Sequence, residues 1–291
     1  MSRMSRFLTI FGAELRFNLK RPMFWTMMSI VALLAWGMST GSVQISSGSS
    51  TVGGRKAWIT SEFSSAYVLA FISSMLMGFF ASIAAGLAIL RDEEAKVGEV
   101  LHATPLKPGE YVWGKGLAIL TAFLVGLAGA AGLMIFFNHA VPHPGEVEIY
   151  GPLSLLNYLR PALVFGMPFL VFLIGTVSYL GERTRRPVVP FLLPVGFLTL
   201  CAFFLWSWSP TWLDPAINRW LGYLDPSGFR WLNETWLKKD LGADFYNTSR
   251  IGLDLPFVLS RLAWMGIGVA ALAASTRHFG RNLRASGSLA P

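Results

Sequence analysis

Two apolar runs, Ala66–Leu90 and Leu117–Asn138, are each long enough to cross a bilayer as a helix, which takes about 20 apolar residues. Between them lies a polar stretch, RDEEAKVGEVLHATPLKPGEYVWGKG, from Arg91 to Gly116. A polar segment held between two crossings has to be a loop at a membrane face. Its first half carries a helical stripe, because Val97, Val100, Leu101 and Thr104 fall at i, i+3, i+4 and i+7. Asp92, Glu93, Lys96 and Glu99 lie off that stripe. Pro105 ends the helix, since its ring clashes with the preceding turn and its nitrogen has no proton to donate. Pro108 suits the first turn of the next helix, which runs through Glu110, Tyr111 and Trp113 towards the membrane. A short helix with an acidic start and a narrow apolar ridge can dock into a groove on a soluble partner.

The rest of the chain follows the same pattern. Further apolar runs at Phe24–Gly41, Pro161–Leu180, Val188–Trp206 and Leu255–Thr276 bring the expected crossings to six. The 291 residues are 53% hydrophobic and 14% charged, against about 25% charged in a soluble domain. The expected fold is therefore all-α, a single membrane domain over residues 1–291. Residues 1–22 read as a basic interfacial helix and not a signal peptide, with Met4, Phe7, Leu8, Phe11, Leu15 and Leu19 along one face. The competing reading is a plain positive flank of the first crossing. The segment 207–254 carries two amphipathic pieces, Pro215–Leu224 and Ser227–Leu237, and is rich in tryptophan, which prefers the headgroup zone. Residues 277–291 form a basic tail. Gly78, Ser82 and Gly86, and then Gly126, Gly129 and Gly132, are either rows for close helix approach or the ordinary glycine of membrane helices.

The net charge of +8 would raise nucleic acid as a partner in a soluble chain. Here the basic side chains sit mainly in short loops, where they set orientation and do not mark a nucleic-acid surface. With both termini cytoplasmic, fifteen of the 24 Lys and Arg residues fall on the inner side. Only Arg55, Lys56 and Arg160 fall in the first two outer loops.

Several apparent sites dissolve on context. Gly109–Lys115 matches the spacing G-x-x-x-x-G-K, but Gly116 stands where a phosphate-binding loop needs Ser or Thr, and no strand precedes it. His139 and His143 are four residues apart, yet Pro142 and Pro144 forbid the helix that would bring both rings to one metal. The single cysteine, Cys201, lies in an apolar run, which leaves no disulfide framework. Asn233-Glu-Thr and Asn247-Thr-Ser are glycosylation sequons, which matter only in a eukaryotic secretory pathway. Within the six apolar cores the one charge is Arg261, expected either to snorkel outwards or to pair with a carboxylate of the last outer loop. So few buried ionisable groups disfavour an ion-coupled transporter, and no His, Asp or Glu cluster at a common depth supports a membrane enzyme.

The stretch from Arg91 to Ala118 resembles the loop between the second and third crossings of type-2 ATP-binding-cassette (ABC) permeases. The carrying residues are Asp92, Glu93, Gly98-Glu99, Thr104-Pro105, Tyr111 and Gly114-Lys115. ELRFNLKRPMFW from Glu14 to Trp25 is similar to that family's first crossing. LDPSGFRWLNET from Leu224 to Thr235, with Asn247-Thr248 and Arg261–Trp264, resembles a bacterial subgroup associated with zinc aminopeptidase-like modules, none of which is present in this sequence. The resemblance implies a permease subunit in a bacterial cytoplasmic membrane, of the exporter class. It implies no catalytic residue and no cofactor in this chain, with ATP and magnesium held by a separate ATPase. A second permease subunit, identical or different, would complete the transporter. Coupling would run through Asp92, Glu93, Gly98, Glu99, Val100, Leu101, Thr104, Pro105, Tyr111 and Lys115. An apolar lumen would suit a hydrophobic or amphipathic cargo, or mechanical work on the membrane. The alternative is a membrane-embedded structural or assembly protein that docks a cytoplasmic partner and transports nothing.

Overall fold

The computed structural model describes residues 3–42, 46–47, 50–51, 58–94, 107–143, 149–184, 186, 188–206, 212–239 and 241–287. Within them the chain is helical apart from one two-residue antiparallel pairing, β1 (Ser46–Ser47) with β2 (Ser50–Thr51). Helix α1 (Arg3–Lys20) turns at Arg21 into α2 (Pro22–Ser39), with Pro22 at the first position, where its missing N–H costs nothing. Helices α3 (Glu62–Phe71) and α4 (Gly78–Glu94) are joined through a wide-turn segment, Ile72–Met77. Helix α5 (Pro108–Ile135) widens in the same way over Phe136–Ala140. Next come α6 (Leu156–Pro161), a wide segment at Ala162–Gly166, and α7 (Met167–Thr184). Helix α8 (Val188–Leu200) continues as Cys201–Trp206. Three short helices follow: α9 (Pro215–Leu224), α10 (Phe229–Leu232) with its wide-turn extension Asn233–Leu237, and α11 (Ala243–Thr248). The last is the long α12 (Leu255–Gly287).

Five of these stretches are long and apolar enough to cross a membrane: Pro22–Ser39, Glu62–Asp92, Pro108–Ala140, Leu156–Thr184 and Leu255–Gly280. The protein is therefore read as a membrane protein. The sixth expected crossing, on α8, has only the shorter apolar stretch Pro194–Phe203. Two crossings begin earlier than the hydropathy pattern places them, at Glu62 and Leu156, because Glu62 and Arg160 pair at 2.9 Å and enter the helices together.

Crossing Glu62–Asp92 is the central one, with 72% of its most apolar window buried, against 22% for Leu255–Gly280. Around it, Met27, Val31, Leu69, Ile72, Met77, Phe123, Phe169 and Leu170 form the main apolar core. Small residues permit the closest crossings. A methyl group on Gly181 would stand 2.8 Å from the Gly86 carbonyl oxygen, and one on Gly78 would stand 3.0 Å from the Phe169 ring. Ser82 between them is fully buried, so the Gly78/Ser82/Gly86 row is a packing face against α7. The second row is split: Gly126 and Gly129 meet Met27 and Met28, whereas nothing approaches Gly132. The tightest contact has no such row. A methyl on Gly175 would lie 2.0 Å from the Gly268 carbonyl oxygen, so α7 and α12 cross backbone to backbone.

Helix α1 departs from the simple amphipathic expectation. Its buried residues are Glu14 and Asn18, while Met4 and Leu8 are exposed. It turns Glu14 and Asn18 to the bundle beside Ile10, which packs on Gly114, and Leu19, which packs on the main core, and leaves Met4 and Leu8 outward, because the bundle offers Glu14 cations that lipid cannot.

Candidate functional site

The two arms of the polar loop, the end of α4 and the start of α5, stand side by side and meet α1. Tyr111 donates its hydroxyl to Asp92 Oδ2 at 2.6 Å. Lys115 Nζ lies 2.5 Å from the same oxygen and 3.4 Å from Glu14 Oε2, and donates to the Ala88 carbonyl at 2.8 Å. Arg91 Nη2 reaches both Glu14 oxygens at 3.1 and 3.0 Å, and its guanidinium stacks 4.0 Å over the Phe17 ring. Asn18 Nδ2 donates to Glu14 Oε1 at 3.0 Å. Further out, Arg6 grips Glu110 through Nε at 3.0 Å and Nη2 at 3.1 Å, and this hydrogen bond holds the guanidinium above its ordinary pKa. Burial, and then the nearby Arg91 charge, holds Arg21 below its own.

Two contacts extend this girdle to other crossings. Tyr111 stacks on Phe279 of α12 at 5.0 Å between centroids. His278 Nδ1 lies 2.8 Å from both oxygens of Glu182, which is 1% exposed at the end of α7. The ends of α4, α5, α7 and α12 are thus tied to α1 at one end of the bundle. Paired buried charges contribute little net stability, but removing one partner leaves the other uncompensated and is costly. The girdle therefore specifies which segments meet.

Of the sequence-derived coupling residues, Asp92, Tyr111 and Lys115 are brought together and face one another, with Tyr111 and Lys115 buried. Gly98, Glu99, Val100, Leu101, Thr104 and Pro105, and the side chain of Glu93, lie outside the described residues. Sequence reasoning missed Glu14, Asn18 and Arg91 as partners of this site; a buried acid on a helix read as amphipathic was the available signal. Gly109–Lys115 is helical, and Lys115 is engaged by carboxylates.

At the opposite end, residues 212–239 and 241–254 fold over the bundle. Asp225 organises a tight turn: Oδ1 accepts from Ser227 N at 2.9 Å and Ser227 Oγ at 2.7 Å, and Oδ2 accepts from Arg230 N at 2.9 Å. Gly228 has φ +75°, a left-handed conformation that suits glycine, and a methyl there would stand 2.9 Å from Phe165. Arg261 corrects its expectation. It is 4% exposed, so it does not snorkel, and among the described residues its hydrogen bonds go to backbone carbonyls and the Ser260 hydroxyl. Its Nη1 donates to the Pro226 carbonyl at 2.7 Å and its Nη2 to the Asp225 carbonyl, with the Phe257 ring 4.7 Å below. The fork fits two successive carbonyls of the turn, of which that of Asp225 also accepts the Gly228 N–H at 3.2 Å. Trp231 stacks on Phe257 at 3.8 Å, and Trp206 donates Nε1 to Ser227 Oγ at 3.1 Å. Arg160 bridges Glu62 and the Ile251 carbonyl, each at 2.9 Å. Tyr223 donates to Asp254, and burial together with that bond pushes its pKa up to about 12.

The remaining candidates each have partners within the fold. His139 meets the Tyr158 hydroxyl at 3.1 Å, and His143 meets the Phe137 carbonyl at 2.9 Å, so each ring has its own partner. Asn233 is buried, and Asn247 Oδ1 accepts from Trp58 N at 2.7 Å, which leaves neither sequon free in the fold. No protein-family model matches the chain, and no curated protein matches it significantly. The functional reading therefore rests on the residues.

Proposed function

We propose that this chain is the membrane-spanning permease subunit of an ATP-driven ABC transporter, an exporter, worked by a separate ATPase docked on the loop between α4 and α5. The observation that carries the reading is the girdle at that loop's base. Glu14, Arg91, Asp92, Tyr111 and Lys115 bind both arms of the loop to α1, and Phe279 and His278 extend the tie to α12 and α7. A push on residues 95–106 would be felt by four crossings at once, which is what a chain without its own energy source needs. The acids Asp92 and Glu14 are neutralised internally, which leaves Glu99 and the Val100/Leu101 ridge as the docking contacts.

Six crossings, with both termini cytoplasmic in a bacterial inner membrane, complete the reading. Helix α8 and its extension run for 19 residues, Val188–Trp206, or about 28 Å at 1.5 Å per residue. They start three residues beyond α7 at the girdle end, and Trp206 reaches Ser227 at the opposite end. The exposed apolar side chains of α12, among them Leu259 and Leu262, suit lipid or a second permease subunit.

The test is Leu101→Asp and Glu99→Arg. Both should insert normally and lose the ATPase on purification, since a carboxylate forced into an apolar groove costs on the order of several kcal/mol. An inserted Leu101→Asp protein that still co-purifies with a fully stimulated ATPase overturns the proposal. The structural-protein alternative predicts a partner that stays bound through other surfaces and hydrolyses no ATP in response.

A further inference from the structure

Beside the girdle, α1, the start of α5 and the last turns of the α12 crossing border an open cavity of about 840 Å³. Its walls include the apolar side chains of Met4, Phe7 and Pro108. Its rim carries three basic side chains, Arg3, Lys107 and Arg277, all exposed. Among the described residues, no carboxylate pairs with any of the three. The one acid among the described lining residues, Glu110, is held by both Arg6 contacts and also faces Lys107, so the rim keeps a net positive charge.

The depth is set by the elements. Pro108 begins the α5 crossing, and Thr276 and Gly280 lie in the last turns of the α12 crossing. The cavity opens where two crossings leave the apolar layer, which is headgroup depth. Its neighbour α1 leaves the apolar Leu8 exposed, as a helix lying in the interface does. A ligand here meets three positive charges at its head and an apolar wall along its body.

We propose that this cavity binds an anionic phospholipid, with the headgroup phosphate among Arg3, Lys107 and Arg277 and an acyl chain along Met4, Phe7 and Pro108. A basic pocket between helices at headgroup depth is the arrangement that retains such lipids. A free anion would use the rim but leave the apolar wall in water. The inference needs only that the chain crosses a bilayer, so it stands or falls apart from the transporter reading. Occupancy would fix the angle between α1 and α12, the two elements that the girdle joins only through Tyr111 and α5.

The test uses the full chain in detergent, titrated with phosphatidylglycerol, phosphatidylcholine or glycerol phosphate, and read by Tm and by native mass spectrometry. Phosphatidylglycerol should raise Tm and remain bound, with the other two inactive. Lys107→Gln and Arg277→Gln should each weaken binding about fivefold, the factor equivalent to roughly 1 kcal/mol per basic side chain at an anionic surface. Phe7→Ala should weaken it as well, and Arg186→Gln, an exposed basic residue outside the cavity, should not. Equal shifts from glycerol phosphate, or equal losses in Arg186→Gln and Arg277→Gln, would overturn the site. A second variant guards against misfolding. Thr276→Cys in a Cys201→Ser background should be protected from maleimide by phosphatidylglycerol. Protection by a bound protein partner but not by the lipid would overturn it in favour of a protein occupant.

Discussion

The two ends of the bundle hold their segments together by different chemistry. At the girdle end, side-chain charges answer one another: Lys115 with Asp92 and Glu14, and Arg91 with Glu14. At the capped end, the buried cation of α12 answers backbone: Arg261 donates to two carbonyls and lies over the Phe257 ring, which stacks on Trp231. Arg160 works both ways, with one donor on Glu62 and one on the Ile251 carbonyl. Carbonyls cannot be protonated or swapped for a rival partner, so a cation held by them stays put. Carboxylates shared between two cations can change partners at small cost. The difference teaches that the α12 cation is held at one end by fixed backbone acceptors, whereas the other end is held by carboxylates that more than one cation shares.

Three variants sharpen or break that comparison. Arg261→Met should have the largest effect. It removes two charge-assisted bonds, at about 3–6 kcal/mol from roughly 1.5–3 kcal/mol each, and strands the Pro226 carbonyl, while that of Asp225 keeps the Gly228 N–H. The readout is a large fall in Tm with residues 212–254 becoming sensitive to protease. Arg261→Lys should recover only part, because one ammonium on a shorter stem cannot reproduce the fork. Full recovery by lysine would show that charge alone matters there and remove the distinction between the ends.

Lys115→Met comes next, at about 2 kcal/mol. That is below the roughly 3–5 kcal/mol expected for breaking a fully buried pair, because Arg91 still covers Glu14 and lies 3.7 Å from Asp92. Combined with Arg261→Met, the losses in Tm should add, since the two sites share no partner. Non-additivity would mean that the ends communicate in the resting protein. The smallest effect is expected from Tyr111→Phe, which removes one hydroxyl bond to Asp92 and keeps the ring on Phe279, at about 1 kcal/mol. A larger loss would place the pin of the girdle in that single bond instead of in the lysine.

How much was legible beforehand differs between the ends. The apolar runs, the loop between α4 and α5 and the amphipathic Pro215–Leu224 were all readable, because hydropathy, proline and helical spacing are local signals. Val97 to Thr104 remains a sequence-level helix, since that stretch lies outside the described residues. Asp92, Tyr111 and Lys115 were singled out as partner contacts, yet they contact one another. Their residue types showed that they carry a task, but not with whom.

By itself the sequence determined that the chain is helical and membrane-crossing, where most crossings lie, and that one long polar loop separates two of them. Those properties follow from transfer of apolar side chains and backbone out of water, which depends on each segment alone. Only the tertiary structure decided that Glu14 turns inwards to Arg91 and Lys115, that Gly175 meets Gly268 across two crossings, and that Arg261 closes on the carbonyls of Asp225 and Pro226. Each of those joins residues far apart in the chain, and its energy exists only once both helices are in place. A charge within an apolar run announces that it must be satisfied, but the chain's path in three dimensions chooses the partner.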